Sequence, residues 1–496
     1  MEKLQKILIA SLLQFFLFSV IGYTQQPGEI GYSDNSKFPH GKKGEVLQAL
    51  ITTVNANDAY KVQEFIKNAC TKDFQNMVPM EAHQEYWLNV YQQTGGISFH
   101  SIRSYNPPRP EKTIVVFKDL NYNSWKAITI SFVDEIDYLI SELQYSEARS
   151  PSNIKEPKIT ESDLLNKTKE LIDRLCKRDL FSGSVLIAKG EQILFEEACG
   201  EASKRFHVAN NLDTKFNLGS MNKMFTSVAI MQLVDNGNIK LDDPISEYVD
   251  ESWLPAEITK KVTIHHLLTH TSGLGSYFNN TYWNGSRELY RTVEDFKPLV
   301  NGDTLTFEPG DRFQYSNTGM LLLGVVIQQS SDQDYFEYIR QNIYKPAAMD
   351  NSDSYDMDQP VENLAIGYVP SNSNEYGWEN NIYKHVIKGG PAGGGFSTVR
   401  DLHKFAVALI NKKLVSKSAL NQLWTDHYQS GYGYGFNVET NTDGKIVGHS
   451  GGFPGLNSKL DIFLDKGYIV AVMSNYDSGA SPVALKINQL ISRLKN

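Results

Sequence analysis

Cysteine is scarce in this chain of 496 residues, and only Cys70, Cys176 and Cys199 are present. Three cysteines allow at most one disulfide within the chain, so a disulfide framework is excluded. No CxxC or Cys/His spacing typical of structural zinc is present either. The fold must therefore depend on hydrophobic cores, and a hydrophobic content of 41% is typical of a globular protein.

Clustered positive charge is also lacking. The formal net charge is −9, and no segment concentrates lysine and arginine. A nucleic-acid-binding surface needs such a concentration, so we expect no nucleic-acid partner. The length exceeds that of one typical core and predicts two or three domains.

Long apolar runs are absent except for one, from Ile7 to Ile21, which follows Lys3 and Lys6. This order is typical of a secretory signal peptide, here residues 1–25. An uncleaved anchor helix is the alternative, although the run is shorter than the ~20 residues that span a bilayer. We therefore expect an exported protein, periplasmic or extracellular, without stable membrane insertion after cleavage.

The region 38–148 combines helical patterns with a later series of strands. Apolar residues recur at helical spacing from Gly44, and another helix is predicted at 81–92. From Gly95 the pattern alternates with period two through four segments. This order of elements resembles the nuclear-transport-factor-like fold, a small cone-shaped α+β domain. Its role is open between a ligand pocket, a spacer and self-association. Residues 149–160 form a polar linker.

The remainder of the chain, 161–496, has strand patterns at both ends and helical patterns between them. Two strands are predicted within 181–200 and three within 444–477, followed by a helix from Ser481. This arrangement predicts one antiparallel sheet that is assembled from both ends of the domain and flanked by helices. The predicted fold class is α+β.

Ser220 follows Gly219 at the start of an apolar helical segment, and Lys223 comes one turn later. A serine in the first turn lies near unpaired N–H groups, which favour developing negative charge. On an amphipathic helix Lys223 would share its face, and burial would lower its pKa and make it a base. Ser-x-x-Lys also begins at Ser152 and Ser492, so a capping serine beside a solvated lysine is the alternative.

Two more groups could carry chemistry. Tyr315 and Asn317 lie between a Pro-Gly-Asp turn and a second apolar helix, where a tyrosine can exchange a proton and an asparagine can hold an amide. His449 begins the only His-x-Gly of the chain, and Gly451 and Gly452 follow it. Backbone N–H groups there could form half of an oxyanion hole. Purely structural roles are the alternative for each group.

Ser-x-x-Lys, Tyr-x-Asn and His-x-Gly, in this order, resemble the three motifs of the serine β-lactamase and penicillin-binding-protein superfamily, on its class C side. The segments His266–Leu274, Gly389–Phe405 and Gly431–Phe436 add to the resemblance, which covers about 165–495. It implies a β-lactamase-like fold and a serine hydrolase that needs no metal or other cofactor.

The resemblance also implies a role for each site residue. Whether Lys223 or Tyr315 is the base for acylation stays open. The implied roles are nucleophile for Ser220, its activator for Lys223, proton carrier for Tyr315, contact to the substrate amide for Asn317, third-motif residue for His449, and oxyanion hole for the N–H groups of Ser220 and Gly452.

The chain departs from the family pattern at two positions. Lactam-hydrolysing relatives usually carry Lys-Thr-Gly at the third motif, whereas His449 is mostly neutral above a pKa of ~6.5. This disfavours a β-lactamase but not a D-alanyl-D-alanine peptidase. Ala348 replaces a glycine that the family usually has before the methionine, and we expect only local packing consequences.

Three functional hypotheses follow. The first is an esterase or D-amino-acid peptidase that acts on a small ester or amide or on a peptidoglycan-derived peptide. The second is a β-lactamase or D-alanyl-D-alanine carboxypeptidase. The third, from another class, is a catalytically silent protein that binds cell-wall peptides. His266 and His270 have helical metal-ligand spacing, but no acidic residue accompanies them, so no metal site is predicted.

Overall fold

Two units make up the molecule. The computed structural model describes four stretches of the chain, residues 31–107, 112–371, 374–441 and 444–495. The first unit is drawn from Met1–Thr160 and Arg493–Asn496, and the second is Glu161–Ser492. The predicted signal peptide, residues 1–25, lies outside the described residues.

In the first unit, most helices precede the strands, as the sequence patterns predict. The five strands form one antiparallel sheet in the order β1-β2-β3-β4-β5. The elements are β1 (Gly31–Asn35), α1 (Gly41–Ala56), α2 (Ala59–Ala69), α3 (Lys72–Asn76), α4 (Met80–Thr94), β2 (Ile97–Asn106), β3 (Lys112–Asp119), β4 (Trp125–Phe132) and β5 (Ile140–Glu147). The likeness to a nuclear-transport-factor-like domain stays a prediction.

The limits of the first two helices follow from local backbone chemistry. Helix α1 ends at Asn57, whose φ of 49° is left-handed. The side chain of Asp58 then accepts the N–H groups of Tyr60 and Lys61 and begins α2. The apolar face that looks continuous in the sequence is therefore divided between two helices. Both helices pack on the sheet in one core, which includes Leu47, Leu50, Phe65, Ile66, Phe117 and Ile128.

Strand β1 is polar and was not predicted from its pattern. Arg103 of β2 binds the Asp34 carboxylate of β1 through both ends of its guanidinium, with N···O distances of 3.0 and 3.2 Å. The same carboxylate accepts the N–H of Ser152 at 2.8 Å, and Arg103 donates to the carbonyl of Arg149 at 3.0 Å. The beginning of the predicted linker is thereby attached to the sheet of the first unit.

The second unit has the predicted α+β class. Its extended elements are β6 (Gly183–Lys189), β7 (Gln192–Cys199), β8 (Glu201–Ser203), β9 (Val208–Ala209), β10 (Phe216–Asn217), β11 (Tyr368–Pro370), β12 (Trp378–Asn380), β13 (Phe396–Ser397), β14 (Asn437–Asn441), β15 (Gly444–Phe453), β16 (Leu456–Phe463) and β17 (Tyr468–Ser474). Six of them form an antiparallel sheet in the order β14-β15-β16-β17-β6-β7. Strand β17 pairs with β6 along its length, so the sheet is assembled from both ends of the domain, as predicted.

Helices pack on this sheet, and most of them come from the part of the chain between β7 and β14. Strand β17 is buried along its whole length, because alternate side chains enter cores on opposite faces of the sheet. The helices are α5 (Glu161–Lys177), α6 (Asn222–Asp235), α7 (Ala256–Thr259), α8 (Ile264–Leu268), α9 (Asn280–Asn284), α10 (Lys297–Val300), α11 (Asn317–Ser331), α12 (Tyr335–Ile339), α13 (Val399–Ile410), α14 (Lys417–Leu423) and α15 (Ala480–Ile491).

Helix α6 corrects one expectation. The sequence suggested an amphipathic helix, but α6 is buried on all sides from Asn222 to Met231. A helix that is enclosed all round can hold a polar side chain out of water, which an amphipathic surface helix cannot do.

One disulfide joins Cys176 of α5 to Cys199 of β7, while Cys70 in the first unit is buried and unpaired. No helix within the described ranges has both the length and the apolar character needed to cross a membrane.

Candidate active site

Ser220 lies in a single 3₁₀ turn, Gly219–Met221, that leads into α6. Gly219 has a left-handed φ of 53°, and a Cβ atom on it would lie about 3.1 Å from the backbone N of Gly452. Only glycine adopts this conformation easily and leaves room for β15. The close approach holds the half-buried Ser220 beside Gly451 and Gly452.

Lys223 is fully buried one turn beyond Ser220. Its Nζ lies 3.1 Å from Ser220 Oγ and 2.9 Å from Asn317 Oδ1, and it also contacts the carbonyl oxygen of Ala392. All three partners are uncharged oxygens. Burial without a carboxylate lowers the pKa of Lys223 well below its ordinary value.

A neutral lysine fits this set of partners. An amide oxygen and a peptide carbonyl can only accept, so Asn317 and Ala392 take the two N–H groups of a neutral amine. The remaining lone pair of Nζ then faces Ser220, whose hydroxyl is the only one of the three partners able to donate. The arrangement can accept the proton of Ser220.

Tyr315 approaches the same atoms from the other side. Its ring centroid lies 4.8 Å from Lys223 Nζ, and its hydroxyl is hydrogen-bonded to Ser220. As a residue Tyr315 is 38% exposed, yet the protein atoms crowded around its hydroxyl raise its pKa, and the bond to Ser220 offsets this only partly. Tyr315 is therefore protonated when the site is at rest.

Asn317 is the first residue of α11, directly after Ser316, whose hydroxyl caps the helix by accepting the N–H of Gly319 at 2.8 Å. The Asn317 amide bridges two groups, because Oδ1 accepts from Lys223 and Nδ2 donates to Ser276 Oγ at 3.1 Å. The bridge fixes the side chain beside the nucleophile.

His449 is 4% exposed, so it lies behind the open cleft rather than lining it. Its Nδ1 lies 2.6 Å from the carbonyl oxygen of Ser450, and its Nε2 lies 3.0 Å from the Tyr432 hydroxyl. Burial, aided by Lys223, lowers the pKa of His449 to about 3. The ring is therefore neutral, and neither nitrogen is left for a substrate carboxylate.

Gly451 and Gly452 continue β15 past the nucleophile. A Cβ atom on Gly451 would collide with the carbonyl of Leu218, which explains the glycine, whereas Gly452 is exposed. The structure thus brings together all seven residues singled out in the sequence: Ser220, Lys223, Tyr315, Asn317, His449, Gly451 and Gly452.

Four neighbours of these residues were not assigned from the sequence. Ala392 contributes only a backbone oxygen, so no residue type marks it. Ser276 and Tyr432 contribute hydroxyl groups from loops. His270 packs 4.4 Å from Tyr315, ring to ring, and its Nδ1 accepts the N–H of Ser316 at 3.1 Å.

The histidine cluster does not have the geometry of a metal site. Helix α8 ends at Leu268, and His270 has a φ of 56°, so His266 and His270 are not one helical turn apart. His266 Nδ1 instead accepts the N–H of Thr263 and caps α8. Within the described stretches, no group of three or more His, Cys, Asp or Glu could hold a metal ion.

Comparison with known proteins agrees with this geometry. The family model described as Beta-lactamase matches residues 168–492. Penicillin-binding protein 4* of Bacillus subtilis is 29% identical over 322 residues, which cover 62% of this chain and 70% of that protein. The putative penicillin-binding protein PbpX of the same organism is 30% identical over 327 residues, covering 63% and 76%.

A solved structure leads to the same family. The crystal structure of a penicillin binding protein from Bacillus halodurans is 33% identical to this chain, with a TM-score of 0.59, and covers 64% of this chain and 98% of its own. The family model spans well over half of the 496 residues. This chain belongs to the beta-lactamase family of serine hydrolases and is related to penicillin-binding proteins.

Proposed function

We propose that this protein is an exported serine hydrolase that cleaves a neutral ester or amide, such as a D-amino-acid peptide, through an acyl-enzyme on Ser220. The observation that carries the proposal is the buried Lys223. Its Nζ lies 3.1 Å from Ser220 Oγ, its other partners can only accept, and its pKa is strongly lowered.

The proposed reaction begins with attack by Ser220 Oγ on the substrate carbonyl carbon, while the hydroxyl proton passes to a base. The pKa directions support Lys223 as this base, because burial lowers the pKa of Lys223 and raises that of Tyr315. The N–H groups of Ser220 and Gly452 would stabilise the negative charge on the carbonyl oxygen.

Collapse of the tetrahedral intermediate breaks the bond to the leaving group, which takes a proton through Tyr315. The acyl group stays on Ser220 until water attacks the new ester and gives up a proton to the same base. The bond to Ser220 Oγ then breaks, the proton returns to Oγ, and the acid is released. Tyr315 suits the transfer because its hydroxyl is hydrogen-bonded to Ser220 and its ring contacts Lys223.

The third motif supports a neutral substrate. A carboxylate loses its water on binding, and only a charged or multiply bonded partner offsets that loss. His449 is neutral, and both of its nitrogens are taken by Ser450 and Tyr432. This arrangement ranks an esterase or amidase above an enzyme that must hold an anionic substrate.

A second candidate function has its own support. The relatives from Bacillus subtilis and Bacillus halodurans are named as penicillin-binding proteins, so acylation of Ser220 by a β-lactam is the alternative activity. Under this alternative, the protein would be a β-lactamase or a D-alanyl-D-alanine carboxypeptidase. A silent cell-wall-peptide-binding protein would keep the pocket without acylation.

The deciding experiment is active-site labelling of the full chain. A fluorophosphonate and a fluorescent penicillin are each incubated with wild type, Ser220→Ala and Ser492→Ala, and the modified peptide is identified by mass spectrometry. Ser492 begins another Ser-x-x-Lys and is the matched control. We expect labelling of Ser220 by the fluorophosphonate in wild type and in Ser492→Ala only. Labelling that survives Ser220→Ala would reject the nucleophile.

Export is proposed from the order of Lys3, Lys6 and the apolar run Ile7–Ile21. The disulfide between Cys176 and Cys199 supports it, since such bonds persist mainly in oxidising compartments. N-terminal sequencing of the mature protein should begin near residue 25. Self-association through the first unit is likewise a proposal, and light scattering of the full chain tests it.

A further inference from the structure

Three aromatic side chains from two separate segments meet beside the proposed oxyanion hole. Phe278 and Trp283 come from the loop and helix around α9, and Phe453 ends β15. Their ring centroids are 5.9 Å apart for Phe278–Trp283, 5.5 Å for Phe278–Phe453 and 6.0 Å for Trp283–Phe453. The planes of Trp283 and Phe453 differ by only 7°. We refer to these three residues as the aromatic shelf.

The aromatic shelf lies next to the nucleophile along two independent paths. Phe453 directly follows Gly452 and shares its side of β15 with Gly451 and His449, because side chains alternate along a strand. Gly451 packs against Leu218, two residues before Ser220.

The second path runs through the loop before α9. Asn317, which binds Lys223, donates to Ser276 Oγ at 3.1 Å, and Phe278 is two residues farther along. Both paths start at the catalytic groups and end at the aromatic shelf.

The aromatic shelf is rigidly supported. The buried ring of His385 lies 4.7 Å from that of Phe453, and its Nε2 lies 3.2 Å from the carbonyl oxygen of Pro454. Asn381 Nδ2 donates to the same carbonyl at 2.9 Å. These bonds hold the turn after Phe453, so the ring is positioned before any ligand arrives.

The exposed part of the aromatic shelf is apolar. Trp283 is 44% exposed, but its indole N–H donates to the carbonyl of Phe278 at 3.0 Å, so mainly ring surface faces solvent. The Arg287 guanidinium contacts the edge of the aromatic shelf, since it lies 5.5 Å from the centroid of the Trp283 ring and 4.1 Å from that of Tyr282. Its hydrogen bonds go to backbone, including one to the carbonyl of Trp283 at 3.2 Å, so it adds no charge-pairing demand on an apolar ligand. Exposed aromatic surface that is held in place near a nucleophile is typical of a binding site.

The position of the aromatic shelf along β15 indicates which part of the substrate the shelf would contact. Tyr315, which would protonate the leaving group, packs with Tyr432 and so lies at the His449 end of the strand segment. Phe453 lies at the opposite end. A substrate carbonyl held at Ser220 therefore directs its leaving group toward Tyr315 and its acyl group toward the aromatic shelf.

We infer that Phe278, Trp283 and Phe453 form an acyl-group subsite that selects substrates with an apolar, preferably aromatic, acyl side chain. This inference rests on the proposed acyl-enzyme at Ser220 and adds its substrate class. An aromatic acyl side chain stacked on this surface would be removed from water, which is favourable, and no polar group of the aromatic shelf would lose a hydrogen-bond partner.

The test varies the acyl group at a constant leaving group. Turnover of p-nitrophenyl acetate and p-nitrophenyl 3-phenylpropionate is measured for the full chain and for Trp283→Ala, Phe453→Ala and Phe453→Leu. The control is Phe206→Ala, since Phe206 is 71% exposed between β8 and β9 of the same unit. Thermal unfolding verifies the fold of each variant, and Trp283, being partly exposed, is the substitution that packing tolerates best.

We expect kcat/KM in wild type to favour the phenylpropionate by about tenfold to a hundredfold, the effect of burying one aromatic side chain. Trp283→Ala and Phe453→Ala should remove most of this preference, measured as the ratio of kcat/KM for the phenylpropionate to that for the acetate. Phe453→Leu should keep part of it, and Phe206→Ala all of it.

The two levels of the proposal fail differently. A wild-type preference near one, or a preference that survives both alanine variants, overturns the subsite alone as long as acetate turnover depends on Ser220. If neither ester is hydrolysed and Ser220 is never labelled, the proposed function and the subsite are both overturned.

Discussion

Arg103 in the first unit and Lys223 in the second are both buried basic side chains, but their surroundings are opposite. Arg103 has a carboxylate partner, Asp34, bound through two hydrogen bonds, with side-chain exposures of only 2% and 0% for the pair. Lys223 has three oxygen partners, none of them a carboxylate. The carboxylate of Asp34 stabilises the buried charge of Arg103, whereas the uncharged partners of Lys223 favour the neutral amine.

The difference separates a structural role from a chemical one. Burial alone would raise the pKa of Asp34, but its bonds to Arg103 and Ser152 lower it, so the pair stays ionised and holds β1 to β2. Burial of Lys223 without an anion lowers its pKa and leaves an amine with an available lone pair. A buried base that is stable only when neutral is useful to catalysis and costly to the fold.

The largest expected effect comes from Lys223→Met, which keeps the length of the side chain and removes the base. We expect kcat/KM for p-nitrophenyl acetate to fall by about a thousandfold or more, because activation of Ser220 is lost. Thermal unfolding should shift only modestly, because an apolar side chain suits this fully buried position but leaves Asn317 Oδ1 and the Ala392 carbonyl without their hydrogen-bond donor. Lys169→Met, which removes an exposed ion pair with Asp173, is the control. Activity within tenfold of wild type would exclude Lys223 as the base.

Breaking the pair in the first unit should affect stability instead. Asp34→Asn leaves Arg103 buried without an anion, and we expect a loss of about 3 kcal/mol in the free energy of unfolding of that unit. Hydrogen exchange of β1 and β2 measures it, while hydrolysis by the second unit should be unaffected. Asp34→Asn combined with Arg103→Met should recover part of the loss. Lys42→Met, which breaks an exposed pair with Glu45, should have almost no effect.

The same pair predicts a pH dependence with a definite sign. The pKa of Asp34 is lower in the folded state than in the unfolded chain. Its contribution is therefore fully present above the unfolded value near ~4 and is lost as the pH falls through the lowered value. Asp34→Asn should destabilise the first unit more at pH 7 than at pH 3, and an equal loss at both would contradict the ionised pair.

The sequence predicted the second unit better than the first. Strands β6, β7, β15, β16 and β17 follow from short segments rich in apolar and β-branched residues between turns, some of them continuous apolar runs such as β17. The three motifs connect the site residues because together they resemble one family. Strand β1 was not predicted because Gly31–Asn35 contains one tyrosine among a glycine and three polar residues and so gives no apolar alternation. Asp34 is also 69 residues from its partner Arg103. Long-range pairing of charges has no local pattern.

Within the site, the catalytic side chains were easier to predict than the backbone groups and neighbouring residues that hold them in place. The carbonyl of Ala392 completes the partners of Lys223, but any residue could supply it. The pairing of Cys176 with Cys199 was one of three choices among the cysteines. The sequence predicts a mostly neutral His449 in the third motif, and only the structure shows that Tyr432 and Ser450 occupy its nitrogens.

A third substitution would turn the Lys223 site into a copy of the Arg103 site. Asn317→Asp places a carboxylate at the position of an amide oxygen 2.9 Å from Lys223 Nζ, and a nearby anion raises the pKa of a lysine by about 1–3 units. Lys223 would then be charged at neutral pH and unable to accept a proton.

We expect kcat/KM at pH 7 to fall by about tenfold to a hundredfold in Asn317→Asp and to recover as the pH rises. The acidic limb of the pH profile, below which Lys223 is protonated, should move upward by about 1–3 units. His449 should add no second limb above pH 5, because its pKa is about 3. Asn317→Ala loses the hydrogen bond without adding charge, so it should lower activity and leave the limb near its original position. An unmoved limb in Asn317→Asp would mean that the limb does not report Lys223.

The smallest expected effect concerns an unfavourable feature of the second unit that has no role in the site. Ala348, which stands where the family usually has glycine, has a left-handed φ of 56° and an exposed side chain. The left-handed conformation costs an alanine about 1–2 kcal/mol, while glycine loses about 0.4–1 kcal/mol through the greater freedom of its unfolded chain. The expectation of mere packing consequences is thus replaced by one of backbone strain.

Ala348→Gly should therefore stabilise the second unit by up to ~1 kcal/mol, measured by chemical denaturation, with kcat/KM unchanged. The neighbouring Ala347 is buried and is not among the residues with positive φ, so Ala347→Gly should destabilise the unit by about 0.5–1 kcal/mol instead. If both glycine variants are destabilised alike, the backbone at Ala348 is not strained. If Ala348→Gly stabilises the unit but lowers kcat/KM, the backbone strain at Ala348 contributes to catalysis. Ala348 would then resemble Lys223, which lowers stability but is needed for activity.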